Sequence, residues 1–194
     1  VSLALLGKRE VIVGLDIRKP KLAEYFGLEQ KHLKGITSFL TDDSIDLHSL
    51  LLPTQASSNL QILPSGSVPP NPAELLARPS LDKAITQLSQ EFDYVILDTA
   101  PVGMVTDTLL IGRVAALSVY VCRADYTRKA EFTLINELAE NNKLPNLCIA
   151  VNGLDLNSRK YGYYYGYGKY GKYYGYGKRY GYGYGYGEKH GGKK

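Results

Sequence analysis

The sequence predicts an open α/β sheet, mostly parallel with helices on both faces, followed by a tail unable to join its core. Three observations carry this. Five short apolar runs, at 11–15, 60–63, 94–97, 117–122 and 147–151, alternate with helix-like stretches. The runs are apolar throughout rather than at every second position, which predicts strands buried on both faces. Residues 161–194 hold 13 of the 17 tyrosines and 12 of the 20 glycines and no aliphatic residue. Glycine loses the most backbone entropy on ordering, so this segment reads as a flexible strand presenting phenols to solvent.

Taken in order, residues 1–6 read as the end of a helix, and the missing initiator Met suggests a start within a longer protein. The strand at 11–15 runs into Asp16-Ile17-Arg18-Lys19. After the strand at 60–63, Asn71 is placed to cap a helix that Pro72 opens, and Pro79 breaks or restarts it before 81–88. The strand at 94–97 ends in Asp98-Thr99-Ala100-Pro101. Helices are expected at 107–113, with Asp107 as its N-cap, and at 128–142. The strand at 147–151 ends in Asn152-Gly153. The domain reading is a body at 1–158 and a tail at 159–194.

Charge divides at the same place. Residues 161–194 carry seven Lys or Arg against one Glu, whereas the preceding 160 residues carry 16 basic and 18 acidic groups. The isoelectric point near 8.9 therefore reports the tail, and the body lacks the basic composition of a nucleic-acid binder. No apolar run approaches the roughly 20 residues of a membrane-spanning helix, and the start lacks the basic flank of a signal peptide. Cys122 and Cys148, both in strand-like runs, are expected to be buried, reduced thiols. His32, His48 and His190 have no spacing that suggests a metal site or a catalytic triad.

In open α/β sheets, ligands bind beyond the carboxyl ends of the strands. Asp16, Arg18, Asp98, Thr99 and Asn152 all stand there. Carboxylates suit a hard cation such as Mg2+, and Arg suits phosphate. The run from Phe92 to Asp98 has the form of a Walker B strand, although a strand-final Asp also serves turns and caps.

Beyond this, the residues resemble a known family. The stretch Gly7-Lys8-Arg9-Glu10-Val11-Ile12-Val13-Gly14-Leu15-Asp16-Ile17-Arg18-Lys19-Pro20 resembles the Walker A′ motif of bacterial tyrosine kinases (BY-kinases), the autokinases of capsule and exopolysaccharide export. Leu63-Pro64-Ser65-Gly66-Ser67-Val68-Pro69-Pro70-Asn71-Pro72-Ala73-Glu74-Leu75-Leu76 resembles their connecting loop. Asp93-Tyr94-Val95-Ile96-Leu97-Asp98-Thr99-Ala100-Pro101-Val102 resembles their Walker B. The resemblance implies a P-loop domain that transfers the γ-phosphoryl of ATP to tyrosine. Asp16, Arg18 and Asp98 would form its catalytic group, with Asp16 and Asp98 holding Mg2+ and Asp16, Asp98, Thr99 and Asn152 on the nucleotide side. Tyr161, Tyr163, Tyr164, Tyr165, Tyr167, Tyr170, Tyr173, Tyr174, Tyr176, Tyr180, Tyr182, Tyr184 and Tyr186 would be the acceptors. It further implies a homo-oligomeric ring, polysaccharide-export partners, and the cytoplasmic side of the bacterial inner membrane, reached through an upstream region or a partner.

Two departures stand out. The family's A′ motif usually carries Asp two residues before the position of Asp16, where this chain has Gly14. The Gly-rich Walker A loop that cradles phosphates is also missing. The string Gly166 to Tyr173 mimics its spacing, but Tyr replaces Ser/Thr and no strand precedes it. The expectation is a chain truncated after that loop, inactive by itself. Two other readings stand beside this one: a non-catalytic ATPase-like module whose aromatic tail binds a polymer, and a MinD/ParA-type ATPase.

Overall fold

The computed structural model describes residues 1–29, 33–103 and 106–155. The tyrosine acceptors, His32, His190 and the Gly166 to Tyr173 string lie outside the described residues. The first elements are α1 (Ser2–Leu5), β1 (Glu10–Gly14), α2 (Leu22–Tyr25) and α3 (Ile36–Thr41). After a 3-10 turn at Leu47–Leu50 come β2 (Leu52–Pro53), β3 (Leu60–Leu63), α4 (Pro72–Leu76), α5 (Pro79–Glu91) and β4 (Tyr94–Asp98). The last are α6 (Asp107–Gly112), β5 (Ser118–Arg123), α7 (Glu131–Glu140) and β6 (Leu147–Asn152).

The strands form two sheets. One has the order β2-β3-β1-β4, in which β3, β1 and β4 are parallel and β2 is a short antiparallel edge. The other is the parallel pair β5-β6. Every sequence-predicted strand is present, within a residue at either end. The helices at 22–25 and 36–41 and the two-residue β2 carry too little periodicity to be read from sequence. Asp107 is not the N-cap of α6: Thr106 takes that place, and Asp107 is the first helical residue. Asn71 does precede α4, but its side chain donates to Glu74 and caps no backbone group.

The core lies around β1. Val11, Val13 and Leu15 are fully buried, as are Ile36, Leu63 and Leu76. In α5, Leu81, Ala84, Ile85 and Leu88 stand at i, i+3, i+4 and i+7, one helical face, and are all buried. Pro79 at the first turn suits this start, where its missing N–H is no loss. The same turn covers the open end of α3: Arg78 Nη1 and Ser80 Oγ both donate to the carbonyl of Leu40, at 3.3 and 3.1 Å.

The loop after β3 is docked on the start of α3 by backbone hydrogen bonds. The amides of Ile36 and Thr37 donate to the carbonyls of Pro64 and Ser65, at 2.8 and 3.0 Å. A side chain at residue 35 would put its Cβ 2.1 Å from the Pro64 oxygen, so only glycine admits this approach. Gly66 faces it with φ +84°.

The sheet pair β5-β6 contradicts the expectation of strands buried on both faces. Val119, Val121, Ile149 and Val151 are 53%, 62%, 45% and 49% exposed, and on β4 Tyr94 and Ile96 are exposed too. On the covered side, Cys122 is buried, as are Ile135 and Leu138 of α7. Cys148 is exposed, correcting the expectation of two buried thiols; both are free. Its strand has too little packed against it to shield alternate residues.

Candidate phosphoryl-transfer site

β1 and β4 lie side by side in register, with Gly14 opposite Asp98. Their carboxyl ends therefore deliver Asp16 and Asp98 to one edge. The join is tight, because the Asp98 carbonyl accepts from the amides of both Leu15 (2.7 Å) and Asp16 (3.0 Å). The Asp16 side chain then folds over its own turn, where Oδ1 accepts from the amides of Lys19 (3.0 Å) and Arg18 (3.3 Å). This local hydrogen bonding is what short Asp side chains do at strand exits. It leaves Oδ2 of Asp16 without a partner among the described residues.

Asp98 is exposed as a residue, yet partial desolvation of its carboxyl, and secondarily the charge of Asp16, push that carboxyl above the usual carboxylate range. Two carboxylates brought to one sheet edge, the charge of Asp16 disfavouring ionisation of Asp98, fit a divalent oxygen-seeking ion. Such an ion would relieve the repulsion and complete its shell with water and phosphate. Among the described residues no cluster of three or more His, Cys, Asp or Glu side chains is poised to hold a metal. The pair is thus an open half-site, not a closed cage.

Arg18 is elsewhere engaged. Its Nε and Nη2 grip the two oxygens of Asp107 at 2.7 and 3.0 Å, and Asp107 is 1% exposed. The hydrogen bonds to Asp107 hold the Arg18 guanidinium above its ordinary pKa. Thr99 follows Asp98 and is half-buried. Asn152 sits in the other sheet: its backbone carbonyl accepts from Ala124 at 2.9 Å, and its side chain accepts from the Gly153 amide at 2.8 Å. Sequence reasoning thus placed Asp16 and Asp98 together, but it did not foresee the Arg18–Asp107 fork. The signal for that fork was two opposite charges, each a short way past a strand end, and it becomes visible only when β1 is known to neighbour β4.

Gly14 has a structural reason. Ser65, 2% exposed, donates its hydroxyl to the Gly14 carbonyl at 2.8 Å. A Cβ on residue 14 would lie 2.6 Å from that hydroxyl oxygen and 3.3 Å from Leu22 Cδ2. The acidic residue usual in the resembled motif has no room here. His48, in the 3-10 turn, lies 3.1 Å from Glu91 at the far end of α5 and takes no part in the site.

No family model matches the chain. Tyrosine-protein kinase YwqD of Bacillus subtilis is 35% identical over 167 residues, covering 84% of this chain and 68% of the relative. Among solved structures, the chimerical protein CapA2B2 superposes with a TM-score of 0.70 at 29% identity, covering 79% of this chain and 66% of that one. The septum site-determining protein MinD of Pyrococcus horikoshii, solved with Mg-ADP, superposes with a TM-score of 0.58 at 19% identity, covering 75% of this chain and 58% of that one. At that identity the likeness to MinD is one of fold.

Proposed function

The chain belongs to the bacterial tyrosine-protein kinase family, and from that premise we propose that it carries the carboxylate side of a phosphoryl-transfer site whose acceptors are the tyrosines of its own C-terminal segment. The observation that carries this reading is the Asp16–Asp98 pair, fixed on one edge by the shared carbonyl of Asp98. Mg2+ and ATP, when bound, supply charge neutralisation and the transferable group. Asp98 and Asp16 would hold the ion, directly or through water, and Thr99, the next residue after Asp98, would serve the nucleotide side. Phosphoryl transfer asks the protein mainly for positioning and charge stabilisation.

The acceptor phenol needs a place for its proton. Gly14 offers no carboxylate, so the free Oδ2 of Asp16 is the group assigned to receive it. A loose transition state makes only a weak base necessary. Arg18 is assigned a supporting role through Asp107 rather than a direct grip on phosphate.

The body at 1–158 is proposed to be a partial P-loop domain. The phosphate-cradling loop would be contributed by a segment outside this sequence, pairing at the free edges of β4 and β5. Micromolar affinity of the chain for Mg·ATP in isothermal titration would overturn that part. Ring assembly, delivery of one subunit's tail to its neighbour, and service to polysaccharide export at the inner membrane belong to the same proposal. Among the described residues no helix is long and apolar enough to cross a membrane.

Phosphopeptide mass spectrometry of the native full-length protein tests the central claim. Phosphate on several of the 13 tail tyrosines is expected, and its loss when Asp98 is changed to Asn. A tail unmodified under all growth conditions would sink the kinase reading.

A further inference from the structure

Asp107 and Glu10, each 1% exposed, are the two buried carboxylates among the described residues. A buried ion is costly unless fully paired. Asp107 is paired by the planar fork of Arg18, the arrangement that lysine cannot reproduce. The pair joins two segments far apart in sequence: the turn leaving β1 and the first residue of α6, reached from β4.

We infer that Asp107 is a positioning residue for the Asp16–Asp98 pair, acting through the guanidinium of Arg18. The inference rests on the reading of that pair as the phosphoryl-transfer site. The start of the turn 16–19 is held by the Asp98 carbonyl, which takes the amides of Leu15 and Asp16, by the Ser65 hydroxyl 3.3 Å from the Asp16 carbonyl, and by the buried side chain of Ile17. None of these reaches the end of the turn that carries Arg18 and Lys19. The Arg18–Asp107 fork pins that far end, and holds at both ends fix an orientation. The Asp16 carboxylate shares that orientation, because Oδ1 is tied to the amides of Arg18 and Lys19 within the same turn. A rotation of the turn therefore moves the carboxylate relative to Asp98.

Hydrogen exchange read by NMR on the full chain, without nucleotide or metal, separates positioning from plain stabilisation. In R18M and D107N, the amides of Leu15 and Asp16 should exchange at least tenfold faster, while those of Val11 and Val13 in β1 change less than threefold. R18K should fall between, keeping the charge but losing the fork. Should either single variant unfold, R18M/D107N strands no charge and carries the same comparison. Equal acceleration at both sets of amides, or none at Leu15 and Asp16, would overturn the inference. Mn2+ binding followed by electron paramagnetic resonance adds a readout at the site, where R18M/D107N should weaken affinity about tenfold. A wild-type chain that takes up no Mn2+ would remove the metal assignment and leave the exchange comparison to decide the role of Asp107.

Discussion

β1 and β5 are written in nearly the same language and live in opposite surroundings. Val11 and Val13 of β1 are wholly buried, between strands on both sides and packed in one core with residues of α3, α4 and α5. Val119 and Val121 of β5 are more than half exposed, in a strand paired only with β6. An apolar run therefore records what a strand can bury, while neighbours decide what it does bury. A two-stranded unit has too few neighbours to be stable alone. Here α7 covers one face, and α6 ties the unit to the rest of the chain. Ile111 of α6 is in the main core, while a Cβ on its Gly112 would touch Leu144 beside β6, at 3.1 Å.

The sharpest way to break the well-packed region is at its backbone contact. Gly35→Ala forces a methyl to within 2.1 Å of the Pro64 oxygen, and should cost about 3 kcal/mol or more in urea unfolding, as severe overpacking does. Next comes the direct contrast between the regions. Leu63→Ala should cost about 2–5 kcal/mol, whereas Val121→Ala should stay within about 0.5 kcal/mol, as at exposed sites. A Val121→Ala cost approaching that of Leu63→Ala would mean that the bare face is covered in solution.

Smaller effects probe the two ends of the β1–β4 pair. At the carboxyl end, the Asp98 carboxyl is pushed up by burial and by Asp16, so ionising it works against folding at neutral pH. Asp98→Asn should raise the melting temperature of the metal-free chain at pH 7 and shrink any rise caused by Mg2+. At the amino end, the Asp93 carboxylate is held down at about 2 by hydrogen bonds from Arg9. Its folded pKa lies below the ordinary value. The stabilisation is therefore present above about pH 4 and is lost as pH falls toward 2. Asp93→Asn should flatten the melting temperature in that window by lowering it above pH 4, and the change is small because the pair is exposed.

The strands were legible because each is a compact apolar run ending in a polar or turn-forming residue. The meeting of Asp16 with Asp98 was legible through the rule that sites form at strand ends, applied to two strands that happen to be neighbours. Asn152 obeys the same rule in sequence, yet its strand lies in the other sheet. Strand order is set by crossovers and helix packing, which no local pattern encodes. The partner of Arg18 was hidden for the same reason: its type promised an anion, and only the fold shows that Asp107 is the anion it holds. Cys148 failed differently, since burial along β6 depends on what is stacked against it.

The contact between Gly14 and Ser65 ties two positions together. The hydroxyl of Ser65 occupies the space that a side chain at position 14 would need, and it is bonded to the Gly14 carbonyl. An acid introduced at position 14 has to displace that buried partner. A smaller residue at 65 makes room, but by itself loses a hydrogen bond. Two positions 51 residues apart therefore cannot be redesigned independently, and a carboxylate engineered at 14 calls for a paired change at 65.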